Sequence, residues 1–201
     1  MLRIIKETKE YYHQAEKCIQ KAFWNVYMPG CEEHYLVYKM RSSPEYVSNL
    51  SFLALDDGYV VGAIYGSVAK YNSDDIITFG PLGVDPKYQH QGIGEMLVQE
   101  FIKETKKMGY KAIVITGVPE YYPRFGFQNC YKLGITTDDG TQFPALMGLE
   151  LEKGFFDNNP GVFQEASVFF SLNRNEVEKY NSFFPPLEKK ILPGQWKKQK
   201  K

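Results

Sequence analysis

A chain of 201 residues with 43 % apolar and 24 % charged side chains is long enough for one domain with a sizeable core and too short for two full ones; disordered and membrane-embedded chains have a different balance. Lys plus Arg and Asp plus Glu stand at 24 each, so there is no net field to hold nucleic acid or an anionic bilayer, and any anion must be bound by local groups. The three cysteines, Cys18, Cys31 and Cys130, have neither metal-site spacing nor the even count of a disulfide framework, which implies a reducing, cytoplasmic setting.

Met1 to Glu7 lacks the apolar run of a signal peptide and reads instead as a short first strand through Leu2, Ile4 and Ile5, and no window reaches the length of a membrane span. From Thr8, a potential cap, to Trp24 the residues Tyr12, Ala15, Ile19, Ala22 and Phe23 recur at helical spacing, and a second helix is predicted over 32–40. Residues 50–55 and 59–69 are extended runs joined by Asp56-Asp57-Gly58, a hairpin composition, and Asp74-Asp75 separates them from a strand ending at Val84. A helix follows from Gly92, with Ile93, Met96, Leu97 and Phe101 on one face, Lys103, Lys106 and Lys107 in its last turns, and Gly109 beyond. Residues 111–116 read as a central strand, 119–125 as an aromatic-rich helix or turn, 145–151 as a strand and 168–172 as a last one. Beyond Leu172, Pro185-Pro186, Pro193 and Lys197, Lys198, Lys200 and Lys201 suggest a frayed tail. The expected division is therefore a domain over 1–172 and an extension over 173–201, with the α/β (α+β) architecture of a mixed sheet flanked by helices.

The informative segment is Val84-Asp85-Pro86-Lys87-Tyr88-Gln89-His90-Gln91-Gly92-Ile93-Gly94, where an apolar strand ends and a glycine-containing turn opens a helix. Gly92 and Gly94 lack the Cβ atoms that would block a ligand, and the first amides of the helix have no partners within it, so a phosphate can accept from them and gain from the helix dipole. It is not a P-loop, because Glu95 and Met96 stand where a lysine and a hydroxyl are needed for a triphosphate and its magnesium. The dinucleotide fingerprint fails too, since its third glycine would fall on Leu97. Downstream, Tyr121-Tyr122-Pro123-Arg124-Phe125-Gly126-Phe127 forms a second block.

The glutamine at 89 with glycines at 92 and 94, following Val-x-Pro at a strand end, resembles the acetyl-CoA pyrophosphate loop of the GNAT (Gcn5-related) N-acetyltransferase superfamily, and the tyrosine block resembles that superfamily's Tyr-x-x-x-Gly-Phe element. Gly80-Pro81-Leu82-Gly83-Val84 and Ala145 to Gly154 extend the resemblance, over residues 31 to 170, to its YhbS-like N-acetyltransferases. The resemblance implies a mostly antiparallel central sheet and an acyltransferase that uses acetyl-CoA and no metal. Its pyrophosphate would lie on Gln89, His90, Gln91, Gly92, Ile93 and Gly94. The pantetheine arm would pair with Leu82, Gly83 and Val84, whose last amide would face the thioester oxygen. Tyr122 would protonate or hydrogen-bond the departing sulfur.

The implied partner is a small-molecule or peptide amine, with no nucleic acid or membrane, in a monomer or a homodimer. Gly117-Val118-Pro119 departs from the family's usual Gly-Asp-Pro, and the strand from Ile76 to Val84 carries no carboxylate. Candidates for a general base are then Asp75, Glu33 and His34, or ordered water leading to bulk, and an acceptor amine already partly neutral needs none. A non-catalytic acyl-CoA sensor is the rival reading, and a nucleotide enzyme a third.

Overall fold

Two tight turns fold the most apolar part of the chain into a three-stranded meander. The computed structural model describes residues 1–157 and 160–195. In it, β1 (Arg3–Lys6) leads to the helices α1 (Tyr12–Phe23) and α2 (Glu33–Met40), then to the long strands β2 (Tyr46–Asp56), β3 (Tyr59–Tyr71) and β4 (Asp74–Val84). The predicted hairpin forms around Asp57 and Gly58. The next turn lies at Asn72-Ser73, with Asn72 in the left-handed region at φ 53, a conformation asparagine tolerates well. Asp74 and Asp75 therefore open β4, paired with Tyr71 and Lys70, instead of separating the strands.

The chain continues through α3 (Ile93–Lys107), β5 (Ala112–Thr116), β6 (Gln128–Asn129), α4 (Cys130–Leu133), β7 (Ile135–Thr137), β8 (Leu146–Glu150), β9 (Gly161–Gln164) and α5 (Arg174–Asn181). Strand order is β1-β2-β3-β4-β5-β8-β6, with β9 joined to both β3 and β7. All pairings are antiparallel except β4 with β5 and β7 with β9, which is the mixed, mostly antiparallel sheet expected. Leu97, Val98 and Phe101 of α3 cover one face, against Leu50, Ile64, Ile77 and Ile113. Ile19 of α1 and Val37 and Met40 of α2 cover the other, against Leu53, Ala63 and Tyr65.

Close packing of α3 depends on Gly66, where a Cβ would stand 2.8 Å from both Phe101 Cε2 and Leu50 Cβ. Gly66→Ala is expected to cost about 1–3 kcal/mol, because neither fully buried neighbour can withdraw. A melting temperature within a degree of wild type would show that the two layers yield more readily than close packing implies.

Three local expectations are corrected. Thr8 makes no side-chain cap; its carbonyl accepts from Tyr11 N at 3.0 Å, and α1 begins at Tyr12 after a short 3-10 turn. Residues 168–172 do not form a strand: Ser167–Phe170 is a 3-10 turn that buries Val168 and leaves Phe170 76 % exposed. The strand that pairs with the end of β3 is β9, at Lys70 and Tyr71, which Gly161 at its start had disguised as loop. Nor is the segment after Leu172 frayed throughout. Asn173 caps α5 by accepting from Asn175 N and Glu176 N, and Val177 and Phe184 are buried. The terminal lysines Lys197, Lys198, Lys200 and Lys201 lie outside the described residues.

Beneath α5 sits a network of buried charges. Arg41, with its side chain 7 % exposed, forms a two-pronged pair with Glu7 at 2.8 and 3.0 Å and also pairs with Glu16. Tyr65 and Tyr46 donate to Glu7 at 2.7 and 3.2 Å, and Tyr180 of α5 donates to Glu16 at 2.9 Å. Each carboxylate thus has several donors, as burial requires.

Candidate active site

The site begins where two neighbouring strands part. β4 runs seven residues past Ile77, yet among the described residues its register with parallel β5 is the single pair Ile77–Ile113. Beyond it, one edge of β4 remains bound to β3, with Leu82 opposite Ile64, Gly83 opposite Ala63 and Val84 opposite Gly62. The opposite edge has left β5. Leu82 and Val84 turn their half-buried side chains toward the α3 core, while Gly83 faces α1, where a Cβ would meet Ile19 Cδ1 at 2.8 Å and Phe23 Cε2 at 3.2 Å.

The turn after β4 is braced from both sides. Asp85, buried, accepts from Lys87 N at 3.1 Å and from Lys21 Nζ of α1 at 2.6 Å. Gln89 Nε2 donates to the Val84 carbonyl at 3.1 Å, and Gln91 Nε2 to the Lys87 carbonyl at 3.3 Å. Gln89, His90, Gln91 and Gly92 are all exposed. Gly92 adopts φ 81, which a side chain would strain, and it has no neighbour within 4 Å of where a Cβ would sit. No side chain caps this end of α3. The first bond from the helix proper to this turn is Met96 N to Gly92 O, at 3.0 Å, so the amides of Ile93, Gly94 and Glu95 come before the ladder starts. These are the features of an open anion cradle.

The tyrosine block lies beside that cradle. A Cβ on Gly94 would stand 3.0 Å from the Tyr121 hydroxyl, and the Arg124 guanidinium lies over the Tyr121 ring, 4.6 Å from its centre. Tyr122 fills the wedge between the diverging strands, with its ring centre 5.7 Å from Phe79 of β4 and 5.6 Å from Phe127. On the β5 side it presses against Gly117, where a Cβ would fall 2.2 Å from Tyr122 Cε2. Only glycine admits the ring there. The ring is 8 % exposed, yet its hydroxyl is not one of the walled-in polar atoms without a partner, which among the described residues are His34 Nε2, Ser51 Oγ, Ser67 Oγ and Thr78 Oγ1. Burial, with smaller contributions from Tyr121 and Tyr27, raises the Tyr122 hydroxyl well above the ordinary phenol range and keeps it protonated at neutral pH.

The three base candidates separate clearly. Asp75 pairs with Lys70 at 2.5 Å at the far end of β4, about 30 Å along the strand from Val84. His34 is fully buried against Tyr180 and Phe184, 3.4 Å from Cys31 Sγ, and burial lowers it to about 4. Glu33 is half-buried at the start of α2, and burial raises it to about 7. The connection from α1 to α2, which leads into Glu33, is fixed by residues 188–195: Trp24 Nε1 and Asn25 Nδ2 each donate to the Glu188 carbonyl at 2.9 Å, Lys190 N donates to Asn25 Oδ1, and Gln195 Nε2 donates to the Asn25 carbonyl. These latches could not be read from the sequence, since they join residues more than 160 positions apart through backbone groups. Between the connection and the chain end lies a cavity of about 700 Å³, lined by Met28, Glu32, Arg174, Lys189 and Leu192 among others. Neither Tyr122 nor the glycine turn lines it.

Among the described residues no three His, Cys, Asp or Glu side chains converge to hold a metal ion, and no helix is long and apolar enough to cross a membrane. The uncharacterized N-acetyltransferase YhbS of Escherichia coli K12 is 38 % identical over 82 residues, 39 % of this chain and 49 % of that protein, so the chain spans about half the length of the curated relatives it matches. A crystal structure of a GNAT family acetyltransferase from Brucella melitensis in complex with acetyl-CoA superposes with TM-score 0.68 at 24 % identity, over 84 % of this chain and 98 % of that one. The structure of Escherichia coli YhbS in complex with CoA gives TM-score 0.72 at 24 % identity, over 86 % and 93 %. The model of the acetyltransferase (GNAT) family matches residues 19–134, more than half the chain, from α1 through the parting strands, the glycine turn and the tyrosine block, and to that family this chain belongs.

Proposed function

We propose that the chain is an N-acetyltransferase that moves an acetyl group from acetyl-CoA to a primary amine by direct attack in a ternary complex. The observation that carries this reading is the edge of β4 that β5 abandons, with the open helix end at one limit and Tyr122 in the wedge. In this arrangement the amides from Gln91 to Gly94 take the pyrophosphate. The pantetheine amides pair with Leu82, Gly83 and Val84 as an added strand, and the Val84 N–H faces the thioester oxygen. Tyr122 then gives its hydrogen bond to the departing sulfur. Its raised pKa makes full proton loss more uphill than for free tyrosine, so the hydroxyl acts chiefly as a donor to the developing negative charge.

A covalent acetyl-cysteine route has little support in this chain. Cys18, Cys31 and Cys130 are buried free thiols, all raised by burial, Cys18 and Cys130 to about 12, so none offers a thiolate at neutral pH. Their buried, unpaired state accords with a cytoplasmic setting. We also propose residues 1–172 as the acetyltransferase unit and 173–201 as an extension of it.

The test is calorimetric titration with acetyl-CoA together with thiol release across a panel of primary amines. Acetyl-CoA at a hundredfold its Kd is expected to stabilise the fold by about 2.7 kcal/mol, with no comparable effect of ATP or NAD. Binding without turnover on any amine would favour a sensor, and stabilisation by nucleotides alone would refute the cradle assignment.

A further inference from the structure

Residues 172–195 pack against the α1–α2 connection and form with it the cavity of about 700 Å³, which neither the glycine turn nor Tyr122 lines. One wall comes from α5, where Arg174, Val177 and Glu178, spaced i, i+3 and i+4, share a helix face. Met28, Cys31 and Glu32 of the connection make a second wall. Ile191 and Leu192 line the cavity from the chain end, in a turn whose Gly194 adopts φ 87. The connection and the chain end are in close contact, since a Cβ on Gly30 would stand 3.1 Å from Lys189 Cε. The volume falls within the roughly 300–1,000 Å³ of small-molecule sites.

Four charged side chains line this mainly apolar space, and they differ in what they already hold. Lys189 Nζ donates to both carboxylate oxygens of Glu178 at 2.6 Å, so that pair satisfies itself. Glu32 and Arg174 have no salt bridge among the described residues. Glu32 is half-buried; burial raises its carboxyl and Arg174 opposes the rise, so the two groups feel each other across the cavity without meeting. A fixed carboxylate and a fixed guanidinium in one apolar chamber are the complement of a molecule that carries both charges. A simple apolar acid or amine would leave one of the two uncompensated. An ammonium would offset the burial of Glu32, and a carboxylate can take two parallel bonds from the planar fork of Arg174.

We infer that this cavity is a second binding site, for a zwitterion with an apolar body, supplied either as an apolar α-amino acid or as a short apolar peptide with free ends. Glu32 holds its ammonium and Arg174 its carboxylate, while Met28, Leu172, Val177 and Leu192 receive the apolar body. The bound molecule joins α5 and the chain end to the α1–α2 connection, adding to the latches at Trp24 and Asn25. No bond is made or broken in it, and the site stands independently of the acetyl-transfer reading.

The experiment is calorimetric titration of the full chain, without acetyl-CoA, with leucine, leucyl-leucine, N-acetyl-leucine and leucinamide. The two zwitterions should bind, the tighter of them telling an amino-acid site from a peptide-end site, and each blocked analogue should bind about tenfold more weakly. Glu32→Gln should weaken the tighter zwitterion about tenfold and leave N-acetyl-leucine, which has no ammonium, unchanged. Arg174→Gln should weaken the same zwitterion about tenfold and leave leucinamide, which has no carboxylate, unchanged. Both side chains reach solvent, so each variant should melt within about two degrees of wild type. Absence of binding by both zwitterions, or a variant that weakens every ligand equally, would overturn the site. Acetylation of the bound zwitterion once acetyl-CoA is added would also overturn it as a second site, because the cavity would then belong to the acceptor; binding without acetylation is the expected result.

Discussion

Arg41→Met is expected to destabilise the protein by about 3–5 kcal/mol and to lower its melting temperature by on the order of 10 °C. The size follows from what the substitution leaves behind. Glu7 and Glu16 have side chains 1 % and 5 % exposed, and Arg41 is the cation that joins them. Methionine fills much of the same volume but leaves two carboxylates whose remaining side-chain donors, among the described residues, are tyrosine hydroxyls. The Arg41 guanidinium also lies 3.8 Å from the centre of the Tyr12 ring, and that contact goes too. Adding Glu7→Gln to Arg41→Met should recover part of the loss, because the amide oxygen still accepts from Tyr65 while one uncompensated charge disappears. A single variant that melts within two degrees of wild type would show that water reaches these groups.

Tyr122→Phe is expected to lower kcat about 100-fold with little change in the KM for acetyl-CoA. Among the described residues the hydroxyl has no hydrogen bond that its loss would break, and the phenyl ring keeps the contacts with Phe79 and Phe127, so the melting temperature should stay within about two degrees. Steady-state kinetics beside a thermal melt separates the two effects. Gly117→Ala is the complementary change: it keeps the hydroxyl but displaces the ring, since the new methyl would overlap Tyr122 Cε2. Wild-type turnover in Tyr122→Phe would remove the donor role. Wild-type turnover in Gly117→Ala would mean that the position of the ring does not matter.

The segments that could be read from the sequence are those whose signals are local. Helix α3 announces itself by the Ile93, Leu97 and Phe101 spacing and by the glycine at its start, and the β2–β3 hairpin by Asp57-Gly58 between two apolar runs. The glycine turn and the tyrosine block were legible as separate motifs; that Tyr121 reaches Gly94 is a fact of the fold. What escaped was built from distant partners. α5 has one buried apolar residue, Val177, and is held by the Tyr35–Glu176, Tyr180–Glu16 and Gln20–Asn181 bonds and by the packing of the Tyr180 ring on His34, Tyr35 and Tyr38, none of which leaves an amphipathic stripe to recognise. Glu33 had the same ambiguity: only its burial distinguishes it from a solvated helix-start glutamate.

The latches between Trp24-Asn25 and residues 188–195 give the molecule an order of completion during synthesis. Chains emerge from their N-terminal end and fold as segments become available. Residues 19–134, which hold β2 to β5, the glycine turn and Tyr122, emerge while the last third is still being made. The connection that carries Tyr27 and leads into α2 cannot be fastened until Glu188, Lys190 and Gln195 have emerged. A chain stopped before residue 188 would lack these latches, so shortening it there should loosen the segment after α1 while the pairings of β1 to β5 persist.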